Sequence, residues 1–287
     1  NPSQVKSEEK ENRGIIYDRN GAVLAASIES KSLSARPKFI KNSNHLAKEL
    51  AKIIDIDENI IKNKLLSGKK FVWLKRNITP SEHQKIIDLG EINLEFHTES
   101  KRIYSFKNTS SHIVGFVNID QIGQRGIERY FNKSLSNSKN VTLSLDINLQ
   151  QSVRKNLIET INSFKAESGL AVVMDISNGE ILSSVSYPDF DPNNNNSFNE
   201  LNLINRVIQS NYEMGSTFKP ITVVNGYDYG IINPNMVFDV KKSFKGVKDH
   251  DNFKDNGLYN VEKVVVESSN IGTAQIALKI GKNNQKE

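Results

Sequence analysis

The chain has 287 residues, 37% apolar and 25% charged, with a net charge of +5. That balance fits one large or two medium soluble globular domains and excludes a disordered chain. The basic residues are spread without a run of five, which calls for no nucleic-acid partner, and the absence of cysteine removes disulfides, thiolate catalysis and cysteine metal sites.

Taken in chain order, residues 13–27 read as a hairpin in which Asn20-Gly21 supplies two positive-φ positions between apolar strands. Helical periodicity follows at 43–53 (Leu46, Leu50, Ile53) and at 57–66 (Ile60, Ile61, Leu65). Residues 71–78 read as a strand carrying Trp73, which is expected in the core of the first domain. Thr79 then offers an N-cap, Pro80 takes the first helical position, and Glu82 is placed to close a capping box. A strand is expected over 94–106, a short apolar segment at 112–118 and a helix at 126–135. The small, polar stretch 134–140 reads as a boundary. It separates a stub (1–12) and a first domain (13–138) from a second domain (139–287). The second domain opens with a strand (141–145) and an amphipathic helix (147–165) placing Leu149, Val153, Leu157, Ile161 and Phe164 on one side. A hairpin over 170–187 repeats the turn chemistry at Asn178-Gly179, and the asparagine-rich stretch 189–196 reads as exposed loop. Helices are expected at 217–230, 260–267 and 272–280.

The five histidines are scattered, and no metal or other cofactor is expected. His112, in an apolar segment, reads as structural, and Asp249-His250-Asp251 as a loop on the substrate side. No apolar run reaches the roughly 18–20 residues that span a bilayer, and no signal peptide is present. The chain opens on Asn1 and stops just after a helical pattern, so both ends read as cut.

Two short segments carry chemistry. Residues 213–220 read Glu-Met-Gly-Ser-Thr-Phe-Lys-Pro, with Ser-x-x-Lys at Ser216 and Lys219; residues 267–272 read Glu-Ser-Ser-Asn-Ile-Gly, with Ser-x-Asn at Ser268 and Asn270. Gly215-Ser216 precedes an apolar-periodic segment, and Pro220 is tolerated only in a first turn. Ser216 is therefore expected at a helix N-terminus with Lys219 on the same face. A neutral serine is a poor nucleophile; an amine of lowered pKa beside it takes its proton, and N-terminal N–H groups stabilise an oxyanion. Ser-x-x-Lys alone recurs by chance, so the weight rests on the flanking residues.

Those flanks are informative. Tyr212 to Pro220 resembles the nucleophile motif of the class B penicillin-binding proteins, and Ser268 to Gln275 resembles their second motif. The resemblance covers nearly the whole chain. Arg13 to Gly21, Lys101 to Tyr104, Ser111 to Asn118 and Gly126 to Glu128 look like segments of the family's pedestal (dimerisation-type) domain. Leu145 to Gln150, Gly179 to Leu182 and Pro188 to Pro192 look like the start of its transpeptidase domain. Phe71 to Pro80 is most similar to division-specific members of alphaproteobacteria.

The resemblance implies an α+β fold: a mixed α/β pedestal followed by the N-terminal part of a serine β-lactamase/transpeptidase-like domain. It implies a D,D-transpeptidase that crosslinks peptidoglycan stem peptides through an acyl-serine and is acylated by β-lactams. Ser216 matches the nucleophile, Lys219 the general base, Ser268 the proton relay and Asn270 the substrate-binding amide. It further implies a single-pass inner-membrane anchor, periplasmic domains, and a membrane glycosyltransferase and divisome proteins as partners. The third family motif, Lys-Thr-Gly, is absent from these residues, and with it the second oxyanion donor, so low turnover is expected of this segment alone. A β-lactamase or β-lactam sensor, an elongation-type paralogue and a non-catalytic divisome interaction module stay open as alternatives.

Overall fold

The computed structural model describes residues 12–249 and 257–285. The chain forms two compact units, Asn1–Ser210 and Asn211–Glu287.

In the first unit, β1 (Ile16–Tyr17) and β2 (Val23–Ala35) form the expected antiparallel hairpin. Its turn differs from the expectation. Gly21 has a φ of 85°, but Asn20 is not left-handed. The Asp18 carboxylate accepts the N–H groups of Asn20 and Ala22 at 2.8 Å, so a side chain shapes the turn in place of a second positive-φ residue. Helices α1 (Ser43–Ile54) and α2 (Glu58–Leu65) follow, capped by Asn42 and Asp57. β3 (Val72–Ile78) leads into α3 (Pro80–Asp88), where Thr79 and Glu82 close the capping box reciprocally. β4 (Leu94–Tyr104) pairs with β2 from Ala25 to Ala35, while β3 pairs with residues 31–35 of β2 along its other side.

Leu33, Leu46, Leu50, Ile61, Leu74 and Ile86 are buried together between these strands and α1–α3. Trp73 does not join them, contrary to expectation. Leu74 takes the inward position, so the period-two alternation of a strand sends Trp73 to the opposite face. There its ring lies 4.9 Å from His97 and 5.1 Å from Phe71, with the Arg76 guanidinium above it.

Next come α4 (Ser111–Val114), α5 (Gly126–Tyr130) and α6 (Asn132–Ser136). The single helix expected over 126–135 is broken at Phe131, and Leu135, within the polar stretch, is fully buried. β5 (Val141–Thr142) runs parallel to β1. Helix α7 (Ile147–Phe164), capped by Asp146, packs on the hairpin of β6 (Gly169–Met174) and β7 (Ile181–Tyr187). Ile161 is buried as expected. Phe164 is 81% exposed, because it occupies the last turn, just before the left-handed Lys165 ends the helix. The second hairpin corrects the turn reading in the same way as the first: Gly179 is left-handed and Asn178 is not. Short helices α8 (Glu200–Leu203) and α9 (Arg206–Gln209) close the unit.

The first unit also holds a buried charge cluster. Glu128 is fully buried between Arg13 and Arg102, its two carboxylate oxygens each accepting a guanidinium Nε at 2.7 Å. Arg13 also donates to Asn132, Ser136 and the carbonyls of Gln121 and Glu128. Dense partnering of this kind is what makes buried charge tolerable. His112 packs edge-on against Phe190, with Nε2 2.7 Å from the Asn202 carbonyl; burial pushes its pKa down.

The second unit contains α10 (Lys219–Asp228), the two-stranded pair β8 (Val237–Asp239) and β9 (Leu258–Asn260), α11 (Val261–Val266) and α12 (Asn270–Asn284). Val223, Ile232, Phe238, Tyr259, Val264 and Ile276 form its core. The whole is α+β, as expected.

Candidate active site

All four residues singled out by the two motifs lie in the second unit. A 3-10 turn, Gly215–Phe218, precedes α10, and Gly215 enters it at a φ of 54°. Ser216 therefore sits one tight turn ahead of the α-helix, not at its first position. Lys219 begins α10 itself, with Pro220 in the first turn, where its missing N–H is no loss. Ser216 is exposed and Lys219 half-buried.

The second motif is a corner between two helices. The Ser268 N–H donates to the Val265 carbonyl and the Ser269 N–H to the Val264 carbonyl. That is a Schellman ending for α11, with Ser268 in the left-handed position usually held by glycine; its φ is 53°. Ser269 then caps α12 at once, its hydroxyl accepting the Gly272 N–H at 2.9 Å. With no linker between the helices, Ser268 is fixed at the apex of the corner and is exposed there. Gly272 permits the close approach: a Cβ at this position would lie 2.5 Å from Val264 Cγ2.

The corner brings the motifs together. The Lys219 amine donates to the Ser268 carbonyl and, at 2.9 Å, to its hydroxyl. Among the described residues no hydrogen bond joins Lys219 to Ser216. Burial holds the Lys219 pKa below that of an ordinary lysine, and the Asp249 carboxylate partly offsets this. The Asn270 amide donates to the Lys248 carbonyl at 2.9 Å.

Sequence reading treats residues 249–251 as a loop. His250 and Asp251 lie outside the described residues, but Asp249 has a defined place: its carboxylate accepts the Ser269 hydroxyl at 2.5 Å and the Ile271 N–H at 3.0 Å. No local pattern marks it, because its partners lie about twenty residues downstream. Chemically, the site offers an exposed hydroxyl one turn before a lysine of lowered basicity, which shares hydrogen bonds with a second hydroxyl.

Two family models match the chain: the penicillin-binding protein dimerisation domain over residues 8–174 and the penicillin binding protein transpeptidase domain over residues 169–287. A probable peptidoglycan D,D-transpeptidase PenA of Neisseria gonorrhoeae is 30% identical, across 94% of this chain and 52% of its own length. A probable peptidoglycan D,D-transpeptidase FtsI of Caulobacter vibrioides is 29% identical, across 94% and 47% respectively. The peptidoglycan D,D-transpeptidase FtsI of Escherichia coli K12 is 28% identical, across 93% and 51%. The chain thus spans about half the length of the curated relatives it matches. In fold it is similar to a solved peptidoglycan synthetase from Bifidobacterium adolescentis, with a TM-score of 0.66 at 22% identity over 96% of this chain and 61% of that one.

Proposed function

Since the chain belongs to the penicillin-binding protein family, we propose that it is part of a peptidoglycan D,D-transpeptidase with Ser216 as nucleophile. The observation that carries this reading is the Lys219 amine, lowered in basicity by burial and bonded to the Ser268 hydroxyl. In its neutral form this amine takes the Ser216 proton as Oγ attacks the carbonyl of the penultimate D-alanine. The peptide C–N bond then breaks, and the departing D-alanine amine receives a proton through Ser268. An amine of a second stem peptide attacks the acyl ester, forms the crosslink and returns the serine to its starting state. The Ser216 N–H supplies one oxyanion donor, and Asn270 orients the substrate peptide bond. A β-lactam takes the same path as far as the acyl ester.

The wider reading keeps residues 13–138 as pedestal and assigns 139 onward to the transpeptidase domain. It places the whole protein at the division septum, anchored in the inner membrane, with a glycosyltransferase and divisome proteins as partners; the resemblance of residues 71–80 to division-specific members supports it. The segment by itself turns over slowly, since a missing oxyanion donor costs about 100- to 1000-fold.

Labelling of the protein encoded by the complete gene with a fluorescent penicillin tests the core of this reading. A long-lived adduct that maps to Ser216 by peptide mass spectrometry, and disappears in Ser216→Ala, is the expected result. An adduct on another residue, or none, refutes it; rapid hydrolysis of the adduct assigns the protein to the β-lactamases instead.

A further inference from the structure

The adjacent loop residues Lys248 and Asp249 together hold three parts of the second motif, and Asp249 holds two of them. Its Oδ2 accepts the Ser269 hydroxyl and its Oδ1 the Ile271 N–H. The carbonyl of its neighbour Lys248 accepts the Asn270 amide. Residues 269, 270 and 271 are thus pinned in succession to two adjacent loop residues. We propose that Asp249 is a positioning residue for acylation: it fixes the corner that presents Ser268 and Asn270, and it supplies the negative charge opposite Lys219. The proposal deepens the transpeptidase reading and rests on it.

The two contributions are physically separate. The first is mechanical. The N–H of Ile271 is one of the groups at the start of α12 that have no partner within the helix. A carboxylate there also lies at the positive end of the helix dipole, which favours it. Ser269 alone caps the Gly272 N–H, so the first turn of α12 would keep one of these two N–H bonds without Asp249. What it would lose is the tie between the loop and the corner, and with it the fixed direction of the Ser268 and Asn270 side chains. Ser268's own bonds run to the Lys219 amine and the Val265 carbonyl, not to the loop; it is exposed, and its left-handed backbone is set by the helix ends on either side.

The second contribution is electrostatic. Among the described residues the Lys219 amine bonds the Ser268 carbonyl and hydroxyl, and the charge of Asp249, which is bonded to the adjoining Ser269, acts on it. Burial pushes the amine toward its neutral form, and Asp249 pulls it back. Removing the charge while keeping the shape therefore makes the amine easier to deprotonate. The rate of acylation would then begin its rise at a lower pH, whatever happens to the plateau.

The test measures fluorescent-penicillin acylation against pH in the complete protein carrying Asp249→Asn, with Asp249→Ala and Asp249→Glu alongside. Asn keeps one acceptor and the volume but loses the charge. For D249N we expect the acid limb to move to lower pH, and the plateau rate to fall roughly 10- to 100-fold, the scale on which misplaced reacting groups lose rate. D249E should restore the position of the limb. A D249N protein with an unmoved acid limb overturns the proposal: with an unchanged plateau it shows no role, and with a lowered plateau it assigns Asp249 to the stability of α12. D249N decides the matter even if D249A does not fold. Failure of the transpeptidase reading itself looks different, since the parent protein would then form no adduct at Ser216.

Discussion

Arg13 and Glu128 stand 115 positions apart in the chain, yet their side chains meet at 2.7 Å with both almost wholly buried. Arg102 takes the other oxygen of the same carboxylate. Glu128→Ala leaves two guanidinium groups buried without their counter-charge, a loss of about 3–5 kcal/mol. Urea unfolding of the 287-residue chain should show the first unit melting at much lower denaturant, while a near-isosteric Glu128→Gln loses less because hydrogen-bond acceptance survives at one oxygen.

The capping box makes a pH prediction. Burial raises the Glu82 pKa, but the hydrogen bonds from Lys75 and from the Thr79 N–H outweigh it, so the net shift is downward. A depressed folded-state pKa stabilises above the unfolded value, about 4.3 for glutamate, and that stability is lost as pH falls through the folded value. Glu82→Gln should flatten this acid-side decline in a series of unfolding curves. Thr79→Ala should lower stability by about 0.5–2 kcal/mol, the range for a lost N-cap.

Lys219 must be neutral to accept a proton. Acylation should therefore rise with pH through an apparent pKa below that of an ordinary lysine, about 10.4, because burial disfavours the charged amine. Lys219→Arg keeps a cation that does not deprotonate. It should lower the acylation rate by about 100- to 10,000-fold, the usual share of a general base, with stopped-flow or gel-based labelling as the measurement.

Gly272 and Val264 should be energetically coupled. The added Cβ of Gly272→Ala meets Val264 Cγ2 at 2.5 Å, and such overpacking typically costs about 1–3 kcal/mol. That exceeds the gain of up to about 1 kcal/mol from replacing a helical glycine. Val264→Ala makes room. In a double-mutant cycle, the pair should be less destabilised than the sum of the single changes.

Features written in consecutive residues are legible in the sequence. Thr79-Pro80 with Glu82 announces its capping box because all its partners lie within one turn. The two chemical motifs are equally local, and the strand and helix spans around them follow from apolar periodicity. Features that depend on distant chain are not legible. The Asn20-Gly21 dipeptide predicts its own turn, but Asp18 reaches over it. Trp73, the only tryptophan, reads as a core residue, although alternation with Leu74 sends it to the other face. Nothing near Glu128 names Arg13 as its partner, and nothing near Asp249 names Ser269. Ser268 in the left-handed region defies the glycine rule for helix ends, and only the helix that begins at the next residue accounts for it.

The parallel pairing of β1 with β5 has a temporal side. Tyr17 is among the first described residues to leave the ribosome, but its strand neighbour Thr142 is made 125 positions later. Glu128, which neutralises Arg13, also comes late. At about 5–20 residues per second, the first strand waits roughly 6–25 seconds with one edge open and a bare arginine beside it. The first unit cannot close in the order it is written. During that interval β2 can shield only one side, and the nascent chain depends on whatever holds it unfolded until the segment after residue 140 arrives.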